Sequence, residues 1–338
     1  MTKFQWILLL LFGSFTGCND EVPEPGLTYN NIIGVVRSMA DPFILQHEEK
    51  YYLYGTDDVS PDVDMGFKVY VSDNMVEWSD PQGVGDGGRA LMASDSWGNW
   101  GFWGAEVYKK DSMFYMFYTV EEHLAVAISN SPLGPFRQEV QKPFRYIREI
   151  DGHMFVDEDG KAYLYYVSFE NSSNEIFVEE LNDDWLSTKP ETKTRCIWWT
   201  QTWENSDPNY DQWPVAEGSA VLKHQGVYYL FYTANHFLSP NYAVGYATSD
   251  SPLGPWIKYD DNPVLEKTRK LIGTGHCSFV RSPNDELYMV YHAHKSPSIP
   301  LPRKMCFDRG EFIPDPDPAK PDRFEIQATD TIREVSWN

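Results

Sequence analysis

The sequence predicts an all-β fold, a five-bladed β-propeller, and three observations support this prediction. First, five stretches share one plan: a polar or acidic residue, a short apolar strand, a charged or glycine-bearing turn, and an aromatic-rich strand. Second, these stretches recur at intervals of roughly 45–65 residues without a helical period, which is typical of propeller blades. Third, one turn sequence occurs twice. The five stretches are residues 40–56, 105–119, 150–167, 215–233 and 275–291.

The first blade shows the plan clearly. Residues 43–46 and 51–56 predict a strand pair joined by a polar turn, and residues 68–72 predict a third strand. The duplicated turn, SPLGP at 131–135 and 251–255, follows a strand of small apolar residues in each copy. Its repetition indicates an equivalent turn before the outer strand of two blades.

Each stretch places one polar residue at the predicted start of the innermost strand of its blade. Because the innermost strands of a propeller surround a central channel, we expect these side chains to converge at one end of it. Two long aromatic loops, residues 83–102 and 198–213, precede candidate residues and are expected to rim the same end. The candidates are Asp41, Glu106, Asp151, Glu217 and His276.

Composition restricts the class of protein. The 338 residues suffice for one all-β domain with a large core, and no second domain is visible. The formal net charge of −22 argues against nucleic acids and anionic membranes as partners, and we expect a soluble monomer. Aromatic residues form 15% of the chain, which is typical of sheets whose rings stack on sugars. Cys196, Cys277 and Cys306 lack metal-ligand spacing and are expected to be buried; a disulfide between two of them stays open.

The N-terminus is predicted to be a targeting segment. Residues 1–18 combine a positive charge, an apolar run and FTGC at 15–18, which resembles the cleavage site of bacterial lipoproteins. A lipid on Cys18 would tether the protein to the bacterial cell envelope, at the outer membrane surface or its periplasmic face. A plain secretory signal is the alternative. Residues 19–31 are predicted to be a tether, and residues 32–338 the propeller domain.

Five short motifs occur in a fixed order. They are ADP at 40–42, WGAE at 103–106, IDGHMFVDEDGKAYLYY at 150–166, AEGS at 216–219 and GTGH at 273–276. Together with the SPLGP turns, this set resembles glycoside hydrolase family 43, the five-bladed arabinanases, arabinofuranosidases and β-xylosidases. The resemblance covers residues 38–310. It departs from the common pattern at Gly152 and Ser219, where the family often has proline, which bears on the subfamily and leaves the mechanism intact.

The resemblance implies hydrolysis of glycosidic bonds with inversion, catalysed by two carboxyl groups. Asp41 matches the general base that activates water, and Glu217 matches the general acid that protonates the leaving oxygen. In inverting enzymes these groups lie roughly 6.5–9.5 Å apart, so that the water fits between them. Asp151 matches a third carboxylate, which raises the pKa of the acid by like-charge repulsion and helps to orient the sugar.

The resemblance also implies residues that bind the sugar. Trp103, with Phe102 beside it, matches the aromatic wall of the sugar subsite. Arg303 matches an arginine that hydrogen-bonds sugar hydroxyls, and Glu106 and His276 are expected to face the substrate from the channel. No cofactor is required. Whether a structural calcium ion lies in the central channel, approached by His276 through water, stays an open question.

Among the activities of this family, we favour an exo-acting α-L-arabinofuranosidase that acts on plant cell-wall polysaccharide. Residues 311–338 are too few for the additional β-sandwich seen in many β-xylosidases, and the insertions between blades favour a narrow pocket. β-Xylosidase, endo-arabinanase and exo-galactosidase activities stay open. A surface propeller that binds glycans without catalysis is the alternative of another class; it would keep Trp103 but has no use for three spaced carboxylates.

Overall fold

The computed structural model describes residues 26–59 and 61–335, which form an almost entirely antiparallel β-structure. Residues 1–25, with the predicted signal segment and Cys18, lie outside the described residues. In chain order the strands are β1 (Leu27–Tyr29), β2 (Ala40–His47), β3 (Lys50–Thr56), β4 (Gly66–Lys68), β5 (Tyr70–Ser72), β6 (Arg89–Met92), β7 (Trp103–Lys110), β8 (Met113–Val120), β9 (His123–Ser129), β10 (Glu149–Val156), β11 (Ala162–Ser168), β12 (Glu175–Glu180), β13 (Thr194–Ile197), β14 (Ala216–His224), β15 (Val227–Ala234), β16 (Ala243–Ser249), β17 (Ile257–Lys258), β18 (Gly275–Arg281), β19 (Leu287–Ala293), β20 (Lys304–Ile313), β21 (Arg323–Ile326) and β22 (Arg333–Val335).

The helical segments of the described ranges are short 3-10 turns. None of them has the length and apolar character that crossing a bilayer would require. They lie at Asp62–Asp64, Ala93–Asp95, Pro190–Thr192 and Thr202–Asn205.

Five antiparallel sheets follow one another along the chain, and each is one blade. Blades I and II have the strand orders β2-β3-β5 and β7-β8-β9, and the short pair β4-β6 packs beside blade I. Blades III, IV and V have the orders β10-β11-β12-β13, β14-β15-β16-β17 and β18-β19-β20-β21. The first strands of successive blades contact one another, and β18 contacts β2, which closes the ring. The prediction of a five-bladed propeller is confirmed.

The two ends of the described chain close against blade V. Strand β1 pairs with β22, and the Tyr29 ring stacks on Phe307 with ring centroids 4.3 Å apart. The Tyr29 hydroxyl donates to Asp308, whose carboxylate also accepts a hydrogen bond from the buried Asn31 side chain. These residues pack against blade V, so the last part of the predicted tether, residues 27–31, lies against the propeller.

Two buried tyrosines explain the duplicated turn. Tyr54 of blade I donates its hydroxyl to the carbonyl of Pro132 in blade II, at 2.5 Å. Tyr165 of blade III makes the same bond to Pro252 in blade IV, also at 2.5 Å. Both tyrosines are fully buried and need an acceptor, which the SPLGP turn of the next blade supplies. The repeated turn therefore fastens blade I to blade II and blade III to blade IV.

Each innermost strand carries a register irregularity near its start, which turns one residue toward the channel. On β2, for example, the pairing with β3 shifts between Ala40 and Phe43. At this point every blade has a residue in the left-handed region, with φ between +50° and +60°. These five residues are Asp41, Gly104, Asp151, Gly218 and His276. The left-handed region is unfavourable for residues other than glycine, and such strain clusters at functional sites.

Candidate active site

A cavity of about 410 Å³ opens at the end of the channel where the five innermost strands begin. All five blades contribute to its wall, and its volume lies within the usual range for sites that bind small molecules. The register irregularities explain its position, because they aim the left-handed residues into this space. Six of the residues predicted from the sequence line it: Asp41, Trp103, Asp151, Glu217, His276 and Arg303.

Asp41 is buried among cationic and hydroxyl groups. Its Oδ2 accepts a hydrogen bond from the Thr56 hydroxyl at 2.5 Å, and its Oδ1 accepts one from Arg303 Nη1 at 3.1 Å. Burial by itself would raise the pKa of Asp41, but the Arg303 guanidinium and the His276 ring hold it well below its usual range. Asp41 is therefore ionised at neutral pH and able to accept a proton.

Arg303 is held in place by a carboxylate that the sequence analysis missed. Its Nε and Nη2 donate to the two carboxylate oxygens of Asp58, each at 2.9 Å, and its backbone N–H donates to Asp58 at 2.7 Å. Such a two-pronged pairing fixes the plane of the guanidinium. The remaining Nη1 is then directed at Asp41, and the guanidinium lies over the Phe237 ring at 4.9 Å from its centroid.

Glu217 has neutral partners. Its Oε1 accepts a hydrogen bond from the Tyr242 hydroxyl at 2.8 Å, and its Oε2 accepts one from the Asn174 side chain at 3.0 Å. Burial and, next, the negative charge of Asp151 raise the pKa of Glu217 to about 7. Glu217 can therefore carry a proton under conditions in which Asp41 is ionised. Sequence reasoning missed Tyr242 and Asn174, since neither belongs to a recognisable motif.

Asp151 lies beside Gly104 of blade II. The Cβ of a side chain at Gly104 would lie 3.7 Å from Asp151 Oδ1, in van der Waals contact. Burial raises the pKa of Asp151 to about 6; His276 opposes this rise and the charge of Asp41 adds to it. Asp151 and Glu217 therefore both hold a proton more tightly than an ordinary carboxyl group.

His276 stands among the three carboxylates. Its Nδ1 lies 3.3 Å from Asp41 Oδ1, and its backbone N–H donates to the Thr233 hydroxyl at 2.8 Å. Burial would lower the pKa of His276, but Asp41, Asp151 and Glu217 together raise it. A histidine that holds a proton cannot ligate a metal ion through that ring nitrogen.

The charges of these residues bear on the calcium ion that the sequence left open. Within residues 26–59 and 61–335, no group of three or more His, Cys, Asp or Glu side chains is arranged to hold a metal ion. Burial and the nearby Arg303 lower the pKa of His292 to about 4 and keep its ring neutral, but its Nδ1 already accepts the Asp41 backbone N–H at 3.2 Å and is not free to bind a metal ion. These residues do not fit a directly bound calcium ion, which prefers oxygen ligands.

Two residues predicted to bind substrate do not reach the cavity. Phe102 is fully buried in the core, where its ring packs against Phe67 and Tyr118. Glu106 lies beyond the register irregularity of β7, and its buried carboxylate accepts hydrogen bonds from Tyr108 and His153. The predicted placement of both residues is wrong, because the residue that blade II turns toward the channel is Gly104, two positions before Glu106.

Aromatic side chains form part of the cavity wall. Trp103 lines the cavity and meets the exposed Trp100 edge to face, with ring centroids 6.0 Å apart. Trp213, at the end of the second long loop, also lines it, and its indole N–H donates to Asn174 at 2.8 Å. Because Asn174 bonds Glu217, this loop both rims the cavity and supports a carboxyl group within it.

The three buried cysteines do not take part in the site. Cys196, Cys277 and Cys306 are free thiols, and burial raises the pKa of each of them. They behave as small apolar residues of the core, as expected from the sequence.

Comparison with known proteins gives a consistent result. The model of a family described as Glycosyl hydrolases family 43 matches residues 30–318. The chain is similar to a solved structure described as an endo-1,4-β-xylanase from Bacteroides thetaiotaomicron, at 39% identity and a TM-score of 0.77, over 88% of this chain and 96% of that one.

Two curated relatives are more distant. One is a β-D-galactofuranosidase from Aspergillus niger, 25% identical over 60% of this chain and 58% of that protein. The other is an arabinoxylan arabinofuranohydrolase from Bacillus subtilis, 25% identical over 85% of this chain and 63% of that protein. The chain thus spans about three fifths of the length of these two relatives.

Proposed function

The chain belongs to glycosyl hydrolase family 43, and from this premise we propose that it is an inverting glycoside hydrolase that acts on xylan or arabinoxylan of plant cell walls. The observation that carries the proposal is the opposite protonation of two carboxyl groups in one cavity. Asp41 is held ionised, whereas the pKa of Glu217 is raised to about 7. Environments that separate the pKa values of two carboxyl groups are typical of acid–base catalysis.

In the proposed mechanism, Glu217 donates its proton to the glycosidic oxygen as the bond to the sugar breaks. Asp41 removes a proton from a water molecule, whose oxygen attacks the opposite face of the sugar ring and inverts the anomeric centre. Asp151 repels the negative charge of Glu217 and so keeps this acid protonated until it reacts. Arg303 keeps Asp41 ionised, and His276 balances the charge of the group.

For the substrate we favour an exo-acting α-L-arabinofuranosidase. The long loop that ends at Trp213 rims the cavity, as expected for a site narrowed to receive one terminal sugar, and Trp103 offers a ring face for stacking. The name of the B. subtilis relative supports this choice. Other activities remain alternatives. The name of the A. niger relative is consistent with an exo-galactofuranosidase, and the description of the B. thetaiotaomicron structure is consistent with an endo-acting enzyme. β-Xylosidase and endo-arabinanase activities are further alternatives.

The test measures release of the aglycone from nitrophenyl α-L-arabinofuranoside, β-D-xyloside and β-D-galactofuranoside, with the Glu217→Gln variant as the control. We expect release from the arabinofuranoside, lost in the variant, and a product whose anomeric configuration is inverted in a proton NMR time course. Retention of configuration would overturn the mechanism. Release from another glycoside would identify a different sugar as the substrate. Release from none of them would change the proposal to an endo-acting enzyme or to a glycan-binding propeller. Binding of arabinoxylan that Glu217→Gln leaves unchanged, together with no hydrolysis by the parent protein, would support the binding propeller.

We also propose that the protein is exported and anchored by lipid on Cys18, a residue outside the described part of the chain. The support is the FTGC sequence at 15–18. Metabolic labelling with a fatty-acid analogue tests it, since the label should appear in the protein and be lost in Cys18→Ala. Labelling that persists in the variant would contradict the proposal.

A further inference from the structure

A second depression, of about 440 Å³, lies where the first residues of the domain run beside β20. Its volume is within the usual range for sites that bind small molecules. Among the described residues that line it, three are basic and none is acidic. The whole chain has 28 basic and 50 acidic residues, so this lining opposes the overall charge. We call it the basic depression: Arg37, Lys295 and Lys304 supply its charge, and Ile32, Ile33 and Pro302 its apolar walls.

Two of these cations are held side by side by the backbone. Residues 35–39 run along the start of β20, where the Val35 N–H donates to the Met305 carbonyl at 2.9 Å and the Met305 N–H donates to the Val36 carbonyl at 2.9 Å. This antiparallel pairing places Arg37 directly opposite Lys304. Like charges in directly opposite positions repel each other and are unfavourable. An anion between them would remove this repulsion.

Lys304 is also withdrawn from water, with 4% of the residue exposed. Its ammonium group donates to the carbonyls of Ile32 and Lys295, which uses two of its three N–H groups. The partly buried Lys258, in contrast, pairs with the carboxylate of Glu204 at 2.5 Å. Burial lowers the pKa of Lys304, since no carboxylate of the described chain offsets the desolvation. A buried charge without a counter-charge is costly, so this site favours an anionic ligand.

The basic depression adjoins the active-site cavity. Leu301 and Arg303 line the cavity, whereas Pro302 and Lys304 line the depression. Residues that alternate along an extended segment point to opposite sides of it. This short segment is therefore a common wall, and a ligand in the depression lies close to a ligand in the cavity.

We propose that the basic depression binds the carboxylate of a uronic acid residue carried by the polysaccharide. The carboxylate would pair with Arg37, Lys295 and Lys304, and the apolar walls would contact the C–H groups of the sugar ring. That this sugar belongs to the chain whose bond is cleaved rests on the proposed function. The binding itself can be measured without turnover.

The experiment follows backbone amide signals of the full chain by NMR during titration with three probes at neutral pH. Methyl α-D-glucuronide carries the ring and the charge, methyl α-D-glucoside carries the ring alone, and inorganic phosphate carries charge without a sugar. We expect the glucuronide to move the signals of Ser38 in the lining and of Gly34, which packs on the Lys304 side chain. The glucoside should leave them in place, and phosphate should bind more weakly than the glucuronide.

A double variant, Arg37→Gln with Lys295→Gln, tests the cations. Both side chains are exposed, so the variant should fold, whereas Lys304 is kept because it bonds two carbonyls of the wall. We expect the affinity for the glucuronide to fall by about 10-fold. The matched control is Lys142→Gln with Arg269→Gln, which removes two exposed positive charges elsewhere and should leave the affinity unchanged.

Three results would overturn the proposal: no movement of these signals with the glucuronide, an equal loss of affinity in the control variant, or phosphate binding as tightly as the glucuronide. The second would mean that only the overall charge matters, and the third that the depression takes a free anion. Glucuronide binding as expected in a protein that hydrolyses no glycoside would count against the proposed function alone.

Discussion

Asp41 and Glu217 line one cavity, Asp41 buried and Glu217 partly buried, yet their protonation is opposite. Asp41 faces the guanidinium of Arg303 and the ring of His276, whose pKa is raised by the surrounding carboxylates. Glu217 faces a phenol and an amide, from Tyr242 and Asn174, which carry no charge. Burial acts in the same direction on both groups, because it favours the protonated form of each carboxyl group.

The comparison shows that the charge of the partners, and not the depth of burial, separates the two carboxyl groups. Where a cation is in contact, its attraction exceeds the desolvation penalty and the carboxylate stays ionised. Where the partners are neutral and Asp151 adds repulsion, desolvation prevails and the proton is retained. Substitutions at Glu217, Asp41, Arg303 and Tyr242 each alter one side of this comparison.

The largest expected effect is that of Glu217→Gln. The glutamine keeps the shape of the side chain but has no proton to donate, so we expect kcat on arabinoxylan oligosaccharides to fall by about 10⁴-fold. The loss should be much smaller on a dinitrophenyl glycoside, whose leaving group needs no protonation. A matched control is Glu158→Gln in an exposed turn, where the side chain is 84% exposed. Equal losses on both substrates would contradict the role of Glu217 as acid.

Asp41→Asn should lower kcat by about 10³-fold, because the amide cannot accept a proton from water. In contrast to Glu217→Gln, the loss should be similar for good and poor leaving groups, since water activation is needed in both cases. Kinetics with the same two substrates measure this. A loss confined to the poor leaving group would assign Asp41 to the acid side of the comparison.

Arg303→Met removes the cation from the Asp41 side and should lower kcat/KM by about 10²-fold. Burial would then dominate, so the pKa of Asp41 should rise and the acid limb of the pH profile should move to higher pH. Arg303→Lys keeps a charge but cannot pair with both oxygens of Asp58, and we expect an intermediate loss. An unchanged acid limb in Arg303→Met would show that Arg303 does not set the charge of Asp41.

The smallest effect is expected for Tyr242→Phe, which removes one donor to Glu217 and keeps the ring. The hydroxyl favours the ionised form, so its loss should raise the pKa of Glu217 further above about 7. Activity requires protonated Glu217 and falls as the pH rises through this pKa. The alkaline limb of kcat/KM should therefore move to higher pH, by up to about one unit. A shift to lower pH would contradict the assignment.

Part of this site could be predicted from the sequence. The strand pattern, the turns and the acidic residue ahead of an apolar strand are local, and they identified Asp41, Asp151 and Glu217 as residues at one end of the channel. The same reasoning failed for Glu106, because a shift of register within a strand changes which side chain faces the channel. Motif spacing alone does not specify that shift.

Other parts could not be predicted, because they depend on contacts between distant blades. Asp58 and Arg303 are paired across the closure of the ring, and Asn174 of blade III bonds Glu217 of blade IV. Neither Asp58 nor Asn174 carries a signal in its own stretch of sequence.

The sequence by itself determined the number of blades, since alternation, turn chemistry and repeat spacing act over a few residues, and its resemblance to the family singled out three carboxylates. The tertiary structure decided which carboxyl group is ionised. A pKa responds to charges and donors within a few ångströms, and here those groups come from all around the ring. Only the closure of the propeller brings Arg303 to Asp41 and leaves Glu217 beside Asp151.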